Sequence, residues 1–197
     1  MNRSLLTIKD YAKGFLEQLD PAFGMIHMET TLRLATRVAE VEAANEEWAA
    51  IAAIVHDISL AFTFDLEHET VAVNHGTRSA ATAKGFLAQQ GLGDPALAEI
   101  GTAVATHCFP FIQRTVTAKI LWDADKLNLF THEMREVYEG YWFKQGFSTN
   151  EIAQKIKAYQ SFYLTTFQTA TGRSLAKQVL QTGESLRVFE GTIFKEA

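Results

Sequence analysis

Cys108 is the only cysteine of this 197-residue chain, and Pro21, Pro95 and Pro110 are its only prolines. One thiol cannot close an internal disulfide, so a bridge-stapled scaffold is excluded and a reducing compartment is expected. So few prolines leave long stretches free to run as helix. No apolar run approaches the ~18 residues of a membrane span, and no N-terminal stretch has the basic, apolar and small-residue order of a signal peptide, so a cytoplasmic location is the expectation. Positive charge is not in excess either. With 18 Lys and Arg against 23 Asp and Glu, the chain lacks the basic face that gripping polymeric nucleic acid requires. A small anionic substrate stays compatible, because a metal centre supplies positive charge locally. Internal repeats, low-complexity tracts and linkers rich in Gly, Pro or Ser are missing as well.

What the chain has in quantity is apolar residues at short, regular intervals. Hydrophobic residues make up 47% and charged residues 21%, the balance of a soluble globular protein. The length suits one domain, or one domain with an extension, around a substantial core. Apolar positions recur every three or four residues nearly throughout, which predicts an all-α protein with helices at about 5–19, 28–42, 46–57, 76–90, 95–106, 115–130, 132–145, 149–170 and 173–190. Asp94-Pro95 reads as a helix start, with Asp94 as N-cap, and Gly91 and Gly93 end the helix before it. Residues 59–74 resist this reading. They mix β-branched, aromatic and acidic side chains without a helical period, and are expected to form a partly ordered lid holding whatever strand there is. Tyr159, Phe162, Tyr163 and Phe167 recur at helical spacing and read as core rather than as a base-stacking platform. Tyr138, Tyr141 and Trp142 are candidate pocket walls.

The pair His56-Asp57 closes the apolar run 51–55 and puts two strong metal ligands at the end of a buried-looking helix. His27 precedes it, and His75, His107 and Asp125 follow, giving the order H…HD…H…H…D. Imidazoles and carboxylates suit Fe, Mn, Zn and related ions, and no thiolate-rich set accompanies them, which argues against structural zinc. This order, with its flanking text, resembles the HD-domain metal-dependent phosphohydrolase superfamily. The matching stretches are His27 opening HMETTLRLATRVAE, then IAAIVHDIS, NHGTRSAATAKGFL, EIGTAVATH and ILWDADKLNLF, together roughly residues 23 to 131.

The resemblance implies a single helical bundle of the HD-domain type over residues 1–197, with the motifs in about 23–131 and additional C-terminal helices in about 132–197. It implies a divalent metal, one or two ions, with Fe, Mn, Co, Zn and Mg all open. One ion would take His27, His56, Asp57 and Asp125; the second would take His75 and His107, with Asp57 bridging. All six residues are present, which favours two ions. Asp123 and Asp125 point ~200° apart on a helix and cannot both face one ion. The family text Ala124-Asp125-Lys126-Leu127 selects Asp125, leaving Asp123 to orient a ligand histidine or to face solvent. His68 and His132 lack such context and read as solvated, with His68 in the lid open to substrate contact.

The chain also departs from the family. Many members continue His-Asp with Ile-Gly-Lys, whose lysine contacts phosphate; here the text is Ile58-Ser59-Leu60. Replacement charge would come from Arg78 or Lys126, with Arg33 a weaker candidate. The Gly-Tyr-Pro signature of cyclic-dinucleotide phosphodiesterases is absent. The resemblance as a whole implies a metal-dependent phosphohydrolase cleaving a phosphate ester or anhydride of a small molecule, a nucleotide or dinucleoside polyphosphate above all. Asp57 would bridge the metals and position the nucleophile, and Arg78 and Lys126 would offset phosphoryl charge. Two other readings stay open: an HD-fold di-iron oxygenase, and a non-catalytic HD sensor or interaction domain. The expected partner is a small phosphorylated substrate, with no polymeric nucleic acid and no membrane; a homodimer stays open.

Overall fold

The computed structural model describes residues 3–19, 21–62 and 69–190. Among them run nine helices: α1 (Arg3–Leu16), α2 (Pro21–Val41), α3 (Glu46–Val55), α4 (Glu69–Gln89), α5 (Asp94–Thr106), α6 (Val116–Leu127), α7 (His132–Lys144), α8 (Thr149–Thr166) and α9 (Ala170–Thr182). Short 3₁₀ turns follow α3 at Ile58–Phe62 and α6 at Asn128–Phe130. No strand occurs among the described residues; Thr131 and Leu186 form one isolated parallel bridge. The fold is all-α, as the apolar period requires. No helix among the described residues is long and apolar enough to cross a membrane.

Several helices start where a side-chain oxygen satisfies free N–H groups. Asn45, Thr115, Thr131 and Thr169 cap α3, α6, α7 and α9, and Ser148 with Glu151 forms a reciprocal capping box on α8. Gly183, at φ 73°, ends α9 in the left-handed conformation that glycine adopts without penalty. At α5 the N-cap is Gly93, one residue before the expected Asp94, and it makes no side-chain cap bond. The Asp94 carboxylate instead lies in the first turn, where it complements the helix dipole.

Two helix starts come about two turns earlier than expected. α2 begins at Pro21, so His27 lies inside a helix rather than opening one. Pro21 and Gly24 look like breakers, yet proline is preset for a first turn. Glycine is required at 24, because a Cβ there would sit 2.6 Å from the Leu16 carbonyl oxygen at the end of α1. α4 begins at Glu69, so the described parts of the expected lid are helical: a 3₁₀ turn on one side and the start of α4 on the other. No strand occurs in these described parts. Residues 63–68, including His68, lie outside the described residues.

Helix α3 is the axis of the core. Residues 49 to 55 are all buried, which no one-sided amphipathic pattern provides. It is apolar all round because other helices cover it on every side. One hydrophobic cluster runs from Ile8 of α1 through Ile51 and Ile54 to Leu175 and Val179 of α9. Each such side chain contributes about 1.5–3 kcal/mol by leaving water. The burial holds the C-terminal end of α3, with His56 and Asp57, at a fixed point inside the bundle.

The break between α8 and α9 comes from a residue far away in sequence. Buried Asp123 of α6 accepts hydrogen bonds from the Gln168 N–H (2.8 Å), the Thr169 N–H (2.7 Å) and the Thr169 hydroxyl (2.6 Å). It therefore neither orients a ligand histidine nor faces solvent. It ties the C-terminal helices to α6. Burial raises its pKa to about 6 in spite of these donors. Gly172 allows the close approach, since any Cβ there would collide with the Asp123 carboxylate. Asp123→Ala strands two backbone N–H groups and a hydroxyl and should cost about 2–4 kcal/mol. Thermal denaturation should show a melting temperature lower by roughly 5–15 °C; an unchanged value would mean that water replaces the carboxylate.

Candidate metal centre

Three helix ends and two helix interiors deliver the six candidate ligands. His56 and His107 are the C-caps of α3 and α5. Each donates its Nδ1–H to the carbonyl three residues back, Ala53 at 2.8 Å and Val104 at 2.6 Å. Both rings are thus turned the same way, with the Nε2 lone pair facing inward. His27 comes from the middle of α2, where Phe23 stacks on its ring. His75 comes from α4, and its carbonyl accepts from the hydroxyl of Ser59 at 2.8 Å.

Buried Ser59 also receives the Ser79 hydroxyl at 3.0 Å, and its N–H donates to the Ser79 oxygen at 3.1 Å. The residue that departs from the family's glycine therefore locks the turn after His56-Asp57 onto α4. Leu60, at the position of the family's lysine, is 3% exposed and packs in the core. No charge can be offered from there. Asp125 lies near the end of α6. Asn128 secures that end by donating from Nδ2 to Thr31 Oγ1 on α2 (2.7 Å) and to the Asp125 carbonyl (3.1 Å).

These donors converge in two groups. His27 Nε2 lies 3.0 Å from His56 Nε2 and 3.3 Å from both Asp57 Oδ2 and Asp125 Oδ1. His56 Nε2 lies 3.3 Å from Asp57 Oδ2 and 4.0 Å from Asp125 Oδ1. His75 Nε2 and His107 Nε2 lie 2.9 Å apart, and 3.2 and 3.3 Å from Asp57 Oδ1. One carboxylate thus gives an oxygen to each group. Asp57 Oδ1 is buried without a hydrogen-bond partner, and paired imidazole nitrogens face each other across about one hydrogen-bond length. Spacings near 3 Å are those between ligands around ions held at ~2.0–2.2 Å, so the donor set fits one or two divalent cations.

Burial and the two aspartates pull the imidazole pKa values in opposite directions. Burial opposes protonation of His27, but hydrogen bonds to and charges on Asp125 and Asp57 outweigh it and raise its pKa to about 9. The same balance, with Asp57 and Cys108 as partners, raises His75 to about 9 and His107 to about 10. His56 moves down through burial, and Asp57 moves well below the usual carboxylate range because the imidazoles outweigh its burial. A protonated imidazole cannot coordinate. Metal affinity should therefore rise with pH through about 9–10, and not level off above the imidazole reference of ~6.5. Metal uptake near pH 8 should release protons, measurable by calorimetry in buffers of different ionisation enthalpy. An affinity constant from pH 7 to 9 would contradict this.

Beside the two groups opens a cavity of about 770 Å³. His75, Cys108, Asp125 and Lys126 form its floor, and Phe23, Tyr138, Tyr141, Trp142, Tyr159 and Tyr163 its walls. The rings of Tyr138, Trp142, Tyr159 and Tyr163 stack in series, with centroids 5.5, 6.2 and 6.1 Å apart. Tyr138, Tyr141 and Trp142 are thus pocket walls. The core reading fails for Tyr159 and Phe162, which are 42% and 50% exposed, and holds for Phe167. The missing cover is physical: α8 lies at the edge of the bundle, and its aromatic side turns to the cavity and solvent.

Lys126 pairs with Asp125 Oδ2 and lies over the rings of Trp122 and Tyr163, at 5.0 and 5.8 Å. Lys155 of α8, over Phe147 and Trp142, is a second cavity cation. Arg78 is exposed on α4 and is not among the residues lining the cavity. Arg33 is exposed, with its guanidinium over Phe189. His132 is partly exposed and faces Glu136 at 3.5 Å. Sequence reasoning misses Lys155, Asn128 and Cys108. Only Cys108 carries a signal, standing directly after His107.

The HD domain family model matches residues 24–129, more than half of the chain, and the protein belongs to that family. It is thereby a member of a metal-dependent hydrolase family whose domains bind divalent metals. Solved structures share the fold. A predicted HD superfamily hydrolase from an uncultured Thermotogales bacterium is 24% identical, with 92% of each chain covered and a TM-score of 0.57. Bacillus subtilis YpgQ, solved in complex with ADP, is 17% identical over 91% of each chain, with a TM-score of 0.66. A Lactobacillus plantarum protein is 17% identical over 98% of this chain and 96% of its own, with a TM-score of 0.59. No curated protein gives a significant sequence match.

Proposed function

We propose that the protein is a metal-dependent phosphohydrolase cleaving a phosphate ester or anhydride of a small molecule, with a nucleotide or dinucleoside polyphosphate as the substrate class. The observation that carries this reading is the shared carboxylate: Asp57 offers one oxygen to each of two donor groups, and His75 and Asp125 of these groups line the floor of an aromatic-walled cavity. Divalent metal held there supplies Lewis acidity toward phosphoryl oxygens and activation of water near neutral pH. The cavity suits a nucleotide at both ends. Trp142 and Tyr159 offer flat aromatic surface for a base, and Lys126 and Lys155 offer positive charge for phosphates. That YpgQ was solved with ADP supports the same class.

In this reading, Lys126 has two tasks. Its pairing with Asp125 Oδ2 leaves Oδ1 as the oxygen directed at His27 and His56, and its ammonium offsets charge on a phosphoryl group at the cavity floor. Tyr138 adds a phenol that burial holds well above its usual pKa, so it stays a hydrogen-bond donor. Arg78, exposed on α4 and away from the cavity lining, has no part in this reading.

The test is elemental analysis of the purified protein, followed by a panel of phosphate monoesters, diesters, nucleotides and dinucleoside polyphosphates with Mn²⁺, Fe²⁺, Co²⁺ and Mg²⁺. Hydrolysis of a nucleotide with one of these metals is the expected result. Bound iron with product formed only when oxygen is present would establish the oxygenase alternative. Protein that binds no metal and hydrolyses nothing would establish the sensor alternative.

A further inference from the structure

We infer that Cys108 supplies a thiolate ligand to the metal position of His75 and His107, making that half of the centre a mixed histidine, carboxylate and sulfur site. The inference rests on the proposed function in one respect, that the centre binds metal. Cys108 Sγ lies 3.3 Å from His75 Nε2 and 3.8 Å from His107 Nε2, while the two nitrogens lie 2.9 Å apart. Bonds of ~2.0–2.1 Å to nitrogen and ~2.3 Å to sulfur, at about 90–110° to each other, separate N from S by ~3.1–3.6 Å. One observed distance falls inside that span and the other just beyond it. The fourth corner is Asp57 Oδ1, buried and without a hydrogen-bond partner, 3.2 and 3.3 Å from the same two nitrogens.

Local packing brings the sulfur there. Cys108 follows the α5 C-cap, so the helix end that aims His107 also sets the direction of its neighbour. A Cβ on Gly76 would stand 2.9 Å from Cys108 Sγ and 2.7 Å from the Val104 carbonyl oxygen, so glycine beside His75 is what admits the thiol. The sulfur is also 3.6 Å from His75 Nδ1 and 3.9 Å from His107 Nδ1 and therefore stands beside both rings. Coordination needs a turn about the Cα–Cβ bond of this residue, which lines the cavity. On coordination the thiol gives its proton to solvent and the S–metal bond takes its place.

The consequence is an asymmetric centre. The position of His27, His56, Asp57 and Asp125 has only nitrogen and oxygen donors, whereas the Cys108 position is softer and favours Zn²⁺ or Co²⁺ over Mg²⁺ or Mn²⁺. Co²⁺ titration of metal-free protein reads this directly. Filling of the His75–His107 position should bring a near-ultraviolet thiolate-to-cobalt charge-transfer band, absent from Cys108→Ser and Cys108→Ala. X-ray absorption of the zinc-loaded wild type should show a sulfur neighbour at ~2.3 Å, a measurement that needs no variant. Cys108→Ser should weaken Zn²⁺ binding at the His75–His107 position by about 10–100-fold or more and leave the other position unchanged. Two bound cobalt ions without the band, or a zinc shell of nitrogen and oxygen only, would overturn the thiolate ligand and leave the metal reading standing. Failure to bind Co²⁺ at all would overturn both.

Discussion

Asp57→Ala should yield a folded protein that holds no divalent metal at either position and has lost hydrolytic activity by at least about 10²–10³-fold, the loss expected on removal of one electrostatic stabiliser. Asp57 lies past the last residue of α3, and its two oxygens face the imidazoles of the two donor groups. Its removal therefore opens no apolar cavity and breaks no helix. What disappears is the oxygen pair that reaches both donor groups. Melting curves in rising metal make this visible without an assay. The wild type should gain about 2.7 kcal/mol at a metal concentration a hundredfold above Kd, and the variant should gain nothing. A variant with full metal content would remove Asp57 from the centre.

His75→Ala and His107→Ala should each lower metal content from about two equivalents toward one, while His27→Ala should damage the other position, and activity should fall steeply in all three. The division comes from geometry. His75 and His107 approach Asp57 Oδ1, and His27 and His56 approach Asp57 Oδ2. Metal analysis of the three variants beside the wild type checks it. Wild type saturating at one equivalent, with His75→Ala and His107→Ala binding as much, would leave a mononuclear centre of His27, His56, Asp57 and Asp125.

Helices were legible because burial of one face imposes a period that sequence carries directly, and the start of α8 was written out as the Ser148–Glu151 box. Boundaries set across space were not. Nothing near residue 167 announces that α8 stops there, because the carboxylate that holds the next two N–H groups stands on α6. The start of α2 at Pro21, and not at about 28, was hidden because the close passage of the end of α1 over Gly24 is a tertiary fact. At the site, residue types and order were enough to gather His27, His56, Asp57, His75, His107 and Asp125. The cavity was not legible in the same way. Its walls come from α7 and α8, past the family's text, and the rings of Tyr159 and Phe162 carry the same helical spacing whether a neighbour covers them or not.

The rings of His56 and His107 are each held by a main-chain carbonyl one helical turn behind them. In many metal sites an outer carboxylate or amide side chain performs that task, and selection can swap it to retune the ligand. Here the tautomer is dictated by a helix terminus and passes unchanged through every replacement at residues 53 and 104 that keeps the helix. Variation among relatives thus has no side-chain dial on these two imidazoles. It must act instead on what surrounds them: the serine lock on α4, the lysine on Asp125 and the sulfur beside His75.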